Sequence, residues 1–189
     1  MRRRHKQIGP APVAQPRYGW GLVGLHWLTL ILIVAACGLA WWLDTLPLSP
    51  TKLKLYAWHK WMGLLVLALL PVRIALRCCD PLPRESELAP WEARLSAVVH
   101  GLLYACLLAA PLLGWLHSSA AGFPVVLFGV LPLPDLLGKD ADLAALLKVG
   151  HEVAVYFMVS LVAIHALGAL YHRHVQHDGV FQRMAPWMR

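Results

Sequence analysis

Five of the ten histidines in this 189-residue chain, His26, His59, His100, His151 and His165, stand inside long apolar runs. A strongly polar residue at such a place is costly in hydrocarbon, and it usually faces the interior of a helix bundle to serve a ligand or a pathway. Neutral imidazole is suited to that work. It offers a nitrogen lone pair without importing charge, and its second ring nitrogen can bond a carbonyl that fixes the ring. The chemistry such residues support is ligation of a metal, above all axial ligation of haem iron between two imidazoles. With both axial positions filled, oxygen is kept from the iron and the site passes electrons.

Spacing on one segment turns this into geometry. His151 and His165 are 14 residues apart; on a helix they return to within about 40° of the same face, separated by roughly 21 Å along the axis. One helix therefore presents two imidazoles to the bundle interior, one near each end.

The elements that must position them follow from composition. The chain is 59% hydrophobic and 14% charged, too few charges to clothe a soluble globule. Crossing a bilayer takes about 20 mainly apolar residues, and four stretches qualify, near 22–43, 55–76, 96–117 and 150–172. Turn chemistry separates them: Asp44 to Pro50, Asp80-Pro81-Leu82-Pro83, and the Pro- and Gly-rich run from Gly122 to Gly138. The expected fold is all-α, an integral membrane four-helix bundle over 19–175, flanked by a basic N-terminal tail (1–18) and a C-terminal tail (176–189). The connection up to Lys148 carries Leu136, Leu137, Leu143, Leu146 and Leu147, which suit a short surface helix lying on the membrane or capping the bundle.

The formal charge of +7 is distributed in a way that excludes a nucleic-acid surface. Arg2, Arg3, Arg4, Lys6, Arg17, Arg73, Arg77, Arg84, Arg94, Arg173, Arg183 and Arg189 fall on one side of the expected spans, against Lys52, Lys54, Lys60, Lys139 and Lys148 on the other. By the positive-inside rule both termini are cytoplasmic. The cysteines, Cys37, Cys78, Cys79 and Cys106, lie within or at the ends of the spans and are expected to be buried small hydrophobes without disulfides. Val34-Ala35-Ala36-Cys37 resembles a lipoprotein cleavage site, but the apolar run continues through Trp42 and Leu43 to full spanning length, which favours a retained first helix.

Antiparallel helices set His59 level with His151 at the non-cytoplasmic end and His26 level with His165 at the cytoplasmic end. His100 is also at the cytoplasmic level, so three imidazoles compete there for two axial positions. A single membrane histidine is ordinarily an interhelical hydrogen-bond partner; two level-matched pairs favour ligation. Two haems with irons about 20 Å apart would form a wire across the membrane. A zinc hydrolase is disfavoured because His151-Glu152 lacks the second histidine, Val155 standing in its place. His172, His174 and His177 at the chain end suit a solvated, interfacial cluster better than a metal site, and the competing reading of another class is a histidine-rich metal transporter.

The runs Gly24-Leu25-His26-Trp27, Trp58-His59-Lys60-Trp61-Met62-Gly63, Val72-Arg73-Ile74-Ala75-Leu76-Arg77, His100-Gly101-Leu102-Leu103-Tyr104, Pro111-Leu112-Leu113-Gly114, Gly150-His151-Glu152 and Ile164-His165-Ala166 resemble, in order and spacing, the bacterial cytochrome b561 family. The likeness covers nearly all of the chain after residue 18. It implies two haem b groups, on His26 with His165 and on His59 with His151, in a bacterial inner membrane, and it leaves His100 as a partner of the ligands or of a propionate. The family includes a periplasm-facing superoxide oxidase that passes its electron to ubiquinone, and cytochrome b subunits of nickel-iron hydrogenases. The resemblance thus implies a small-molecule or protein donor and ubiquinone or a similar quinone as acceptor, with His172 as a quinone or proton-relay residue. The guanidinium of Arg73 or Arg77 suits a haem propionate, with ordinary positive-inside flanking as the alternative. Superoxide would be steered by the five lysines of the opposite side, although Asp135, Asp140 and Asp142 weaken that field.

Overall fold

Four helices account for most of a computed structural model that describes residues 17–79 and 88–188. They are α1 (Trp20–Thr45), α2 (Pro50–Cys79), α3 (Pro90–Ala120) and α4 (Ala141–Tyr171). Each is long and apolar enough to cross a bilayer. The basic residues Arg2, Arg3, Arg4, Lys6, Arg84 and Arg189, and the turn from Asp80 to Pro83, lie outside the described residues.

Local chemistry explains the helix starts, which extend beyond the expected spans. At α2, Pro50 occupies the first turn, where its missing N–H costs nothing, and Ser49 Oγ accepts from Lys52 N at 3.2 Å. At α3, Pro90 again leads, and Glu92 Oε2 accepts from Ala89 N at 2.9 Å. At α4, Asp140 caps the helix by accepting from the amides of Asp142 and Leu143, each at 3.0 Å.

That last cap corrects the expected start of the fourth helix near residue 150. Leu143, Leu146 and Leu147 belong to the first turns of α4 itself, so they form no separate surface helix. The rest of the connection holds a two-stranded antiparallel hairpin, β1 (Val126–Leu127) and β2 (Leu131–Pro132), with Val126 opposite Pro132. Its tip turns through Phe128 and Gly129, both at positive φ. The hairpin is tied to α2 because Trp61 Nε1 donates to the Val126 carbonyl at 2.8 Å and the Trp61 ring lies tilted against Phe128, with centroids 5.3 Å apart.

Packing follows the chain: α1 on α2, α2 on α3, α3 on α4. Between α2 and α3 the approach is close, a Cβ at Gly63 falling 3.8 Å from that of Pro111. By contrast, no packed seam joins α4 to α1 or α2 among the described residues. What bridges that space is a central apolar layer, in which Val66, Leu70, Cys106, Leu107, Met158 and Leu161 are buried and Leu32 and Ile33 of α1 lean against them. The parts of the bundle interior on either side of this layer are called its two chambers below. We call the end holding the hairpin the hairpin end, and the end where α1 begins and α4 finishes the terminal end.

The terminal end is closed by the last residues. After α4 the chain makes a π-helical turn (His172–Gln176), reverses at His177 in the left-handed region, and forms a 3-10 turn over Phe181–Arg183. The segment set apart as a tail therefore lies on the bundle: Trp27 Nε1 donates to the Met184 carbonyl at 2.8 Å, and Trp27 and Trp187 lie 5.7 Å apart. Cys37 and Cys106 are buried as expected, whereas Cys78 and Cys79 are exposed, because they occupy the final turn of α2 beyond the packed part of the bundle.

Candidate functional site

Each chamber holds a facing pair of imidazoles. At the hairpin end His59 of α2 and His151 of α4 have ring centroids 6.2 Å apart. At the terminal end His26 of α1 and His165 of α4 are 6.1 Å apart. All four are half-buried.

These separations can be tested against an axial pair. A first-row metal bonds an imidazole nitrogen at about 2.0 Å, and adding about 1.1 Å from nitrogen to ring centre on each side puts trans centroids roughly 6.2 Å apart. Both observed pairs match. His100 and His165, at 5.0 Å, are too close to form a trans pair, and His100 is exposed. Of the three imidazoles at the terminal end, His26 and His165 have the separation that a trans pair would need.

The outer ring nitrogens differ between the two chambers. His59 Nδ1 is 3.0 Å from the Ala36 carbonyl and His151 Nδ1 is 2.8 Å from the Ala110 carbonyl. A carbonyl only accepts, so both Nδ1 atoms carry their protons and both Nε2 lone pairs are left for a ligand. Gly114 makes room for one of these rings, since a Cβ there would come within 3.2 Å of His151. His26 Nδ1 instead accepts from Arg73 Nη2 at 3.1 Å. Arg73 Nε also donates to Tyr104 Oη at 3.3 Å, and Arg73 lies over the Tyr104 ring. His100 Nδ1 donates to the Ser96 carbonyl one turn back, at 2.7 Å.

Other expected site residues lie further out. Arg77, one turn beyond Arg73, donates to Tyr18 Oη at 2.9 Å and lies over that ring. His172 Nδ1 is 2.6 Å from Asp178 Oδ2, so the pair links the end of α4 to the closing segment, while His174 and His177 are exposed. Among the described residues no group of three His, Cys, Asp or Glu side chains is arranged to hold a metal ion. One imidazole was missed in the sequence: His117, near the end of α3, places Nδ1 2.9 Å from the Ala144 carbonyl. It is three residues beyond Gly114, and its only sequence mark is a place at the very edge of the expected third span.

Comparison with known proteins bears on what fills the chambers. The family model for prokaryotic cytochrome b561 matches residues 17–187. The chain belongs to the prokaryotic cytochrome b561 family. Among its relatives are a probable superoxide oxidase, CybB, of Yersinia pestis (28% identical over 184 residues, 92% of this chain and 98% of the relative) and two proteins of Escherichia coli K12. These are cytochrome b561 homolog 2 (31% over 176 residues, 89% and 90%) and cytochrome b561 homolog 1 (30% over 180 residues, 90% and 97%). As a member of this family the chain is a multi-pass bacterial membrane protein, a b-type cytochrome that carries electrons.

The donor set fits b-type haem. Paired imidazoles at axial spacing, a gap along α4 and an arginine beside one ring suit a planar iron group with carboxylate arms. In the cytochrome b561 fold described here, α4 presents both of its histidines to that gap, as the 14-residue spacing predicts.

Proposed function

We propose that this cytochrome b561 binds two haems, one on His59 with His151 and one on His26 with His165. The observation that carries this reading is the pair of matched separations, 6.2 and 6.1 Å, at opposite ends of one gap. Haem, once held by these imidazoles, would supply a one-electron couple. The chain's own residues do the rest. The Ala36 and Ala110 carbonyls orient the rings of His59 and His151. The central layer of Val66, Leu70, Met158 and Leu161 lies between the two histidine pairs.

The orientation we propose places the terminal end in the cytoplasm, because Arg17, Arg73, Arg77, Arg94, Arg173 and Arg183 gather there and lysines mark the other end. Electrons then enter at the hairpin end from a periplasmic donor and leave to a quinone in the membrane. Superoxide is the donor favoured, since the name of the Yersinia relative points to it. Lys52, Lys54, Lys60, Lys139 and Lys148 supply cations at that mouth, although Lys148 is paired with Glu152 at 3.4 Å. His172 and Asp178 form the candidate proton path for the quinone.

The test is a pyridine haemochrome count and a reduced-minus-oxidised spectrum on detergent-purified protein, followed by quinone reduction with a superoxide source. Two haems per chain and superoxide-dependent reduction are expected. A colourless protein overturns the reading. Haem without activity, and co-purification with a large periplasmic enzyme, transfers it to an electron-relay subunit.

A further inference from the structure

The two histidine pairs share a separation but not an electrostatic setting. At the hairpin end both outer ring nitrogens face backbone carbonyls, Ala36 at 3.0 Å and Ala110 at 2.8 Å. An acceptor on Nδ1–H pushes electron density toward the opposite nitrogen and makes the imidazole a stronger donor. A stronger axial donor favours the oxidised metal, so these contacts lower the potential of a haem held there.

At the terminal end the contact is of opposite sign. Arg73 Nη2 is 3.1 Å from His26 Nδ1, and Arg73 is partly buried. No carboxylate forms an ion pair with it among the described residues; its other hydrogen bond goes to the neutral Tyr104 Oη. A guanidinium keeps its charge at every accessible pH, and in a medium of low dielectric a nearby cation favours the reduced, less positive state of a redox group. Ligation through His26 Nε2 requires the proton on Nδ1. Arg73, which only donates, would then keep its bond to Tyr104 Oη, and its charge would remain at this end. The hairpin end has its own cation in Lys60, next to His59 in the chain, but its ammonium donates to the Phe123 carbonyl at 3.2 Å and makes no hydrogen bond to either imidazole of that pair.

Building on the two-haem reading, we propose that Arg73 makes the His26–His165 site the higher-potential site of the two. The Ala36 and Ala110 carbonyls hold the His59–His151 site lower. Arg73 is on this view a positioning and tuning residue, and the difference it creates directs electrons from the hairpin end toward the terminal end.

The experiment is an equilibrium redox titration of the detergent-purified holoprotein, followed in the visible spectrum. The wild type should give two one-electron waves. In His59→Ala the remaining wave belongs to the His26–His165 site, and it should be the higher one. Arg73→Gln should lower that wave by about tenfold in the reduction equilibrium constant, about 59 mV for one electron, and leave the other in place. Arg73→Lys, which keeps a cation, should retain most of the wild-type value.

A remaining wave in His59→Ala that is the lower of the two overturns the proposal, as does an Arg73→Gln variant that moves neither wave or both equally. Should Arg73→Gln lose haem from its site, the order of the wild-type waves and the Arg73→Lys value decide. Fewer than two haems in the wild type by pyridine haemochrome is a different failure, that of the underlying two-haem reading.

Discussion

The hairpin end and the terminal end of this bundle are built from the same parts and finished differently. Each places one imidazole of α4 opposite one from α1 or α2, at nearly equal separations. At the hairpin end the rings are held by main-chain carbonyls and the exit is covered by a short hairpin tied to Trp61. At the terminal end a side-chain cation stands beside one ring, a third imidazole stands 5.0 Å from the other, and the C-terminal segment bonds Trp27. Helix geometry can thus repeat a ligand pair along one axis, while the surroundings of each pair are set independently by whatever neighbouring helices bring. A four-helix frame needs only one such difference to distinguish two otherwise equivalent sites.

The comparison can be broken most severely by removing ligands. On the two-haem proposal, His151→Ala and His26→Ala should each lower the haem content from two per chain to one, measured by pyridine haemochrome; loss of both haems from either variant would show that the two sites are not independent. A smaller effect is expected from Gly114→Val, whose side chain would crowd the His151 ring. Haem affinity at the hairpin end should fall by about tenfold, the scale of disturbing a ligand's support, with the terminal-end site unchanged in a haem titration of the apoprotein.

Trp27→Phe sharpens the contrast in how the ends are closed. It removes the bond to the Met184 carbonyl, worth about 1 kcal/mol, and should speed proteolysis of the C-terminal segment without altering haem content. The smallest effect on haem belongs to His100→Ala. Its ring is exposed and bonded to the Ser96 carbonyl, so both haems should remain; loss of one would return the terminal-end pairing to His100 with His165.

Much of the site was legible in the sequence because helices impose a period. The 14-residue interval from His151 to His165 states by itself that two rings share a face, and the alternation of helices assigns their partners by depth. The start of α4 was also written there, in Asp140 followed by the amides it caps, but a hydrocarbon-length count placed it near 150 because spanning length says nothing about how far a helix continues into water. The exposure of Cys78 and Cys79 was missed for the same reason: apolar neighbours in sequence do not reveal where packing against other helices stops.

Membrane class, the four helices, and the level of each histidine were determined by sequence alone, since hydrophobic length and helical period are properties of a single segment. Which histidines face one another, and that the Ala36 and Ala110 carbonyls bond two of them, was decided only in three dimensions. A backbone carbonyl has no residue identity to read, and a choice among His26, His100 and His165 depends on the relative rotation and spacing of three helices. The same holds for Arg73. Its charge was visible in the sequence, but the 3.1 Å contact with His26, 47 residues away, exists only because α1 and α2 pack side by side.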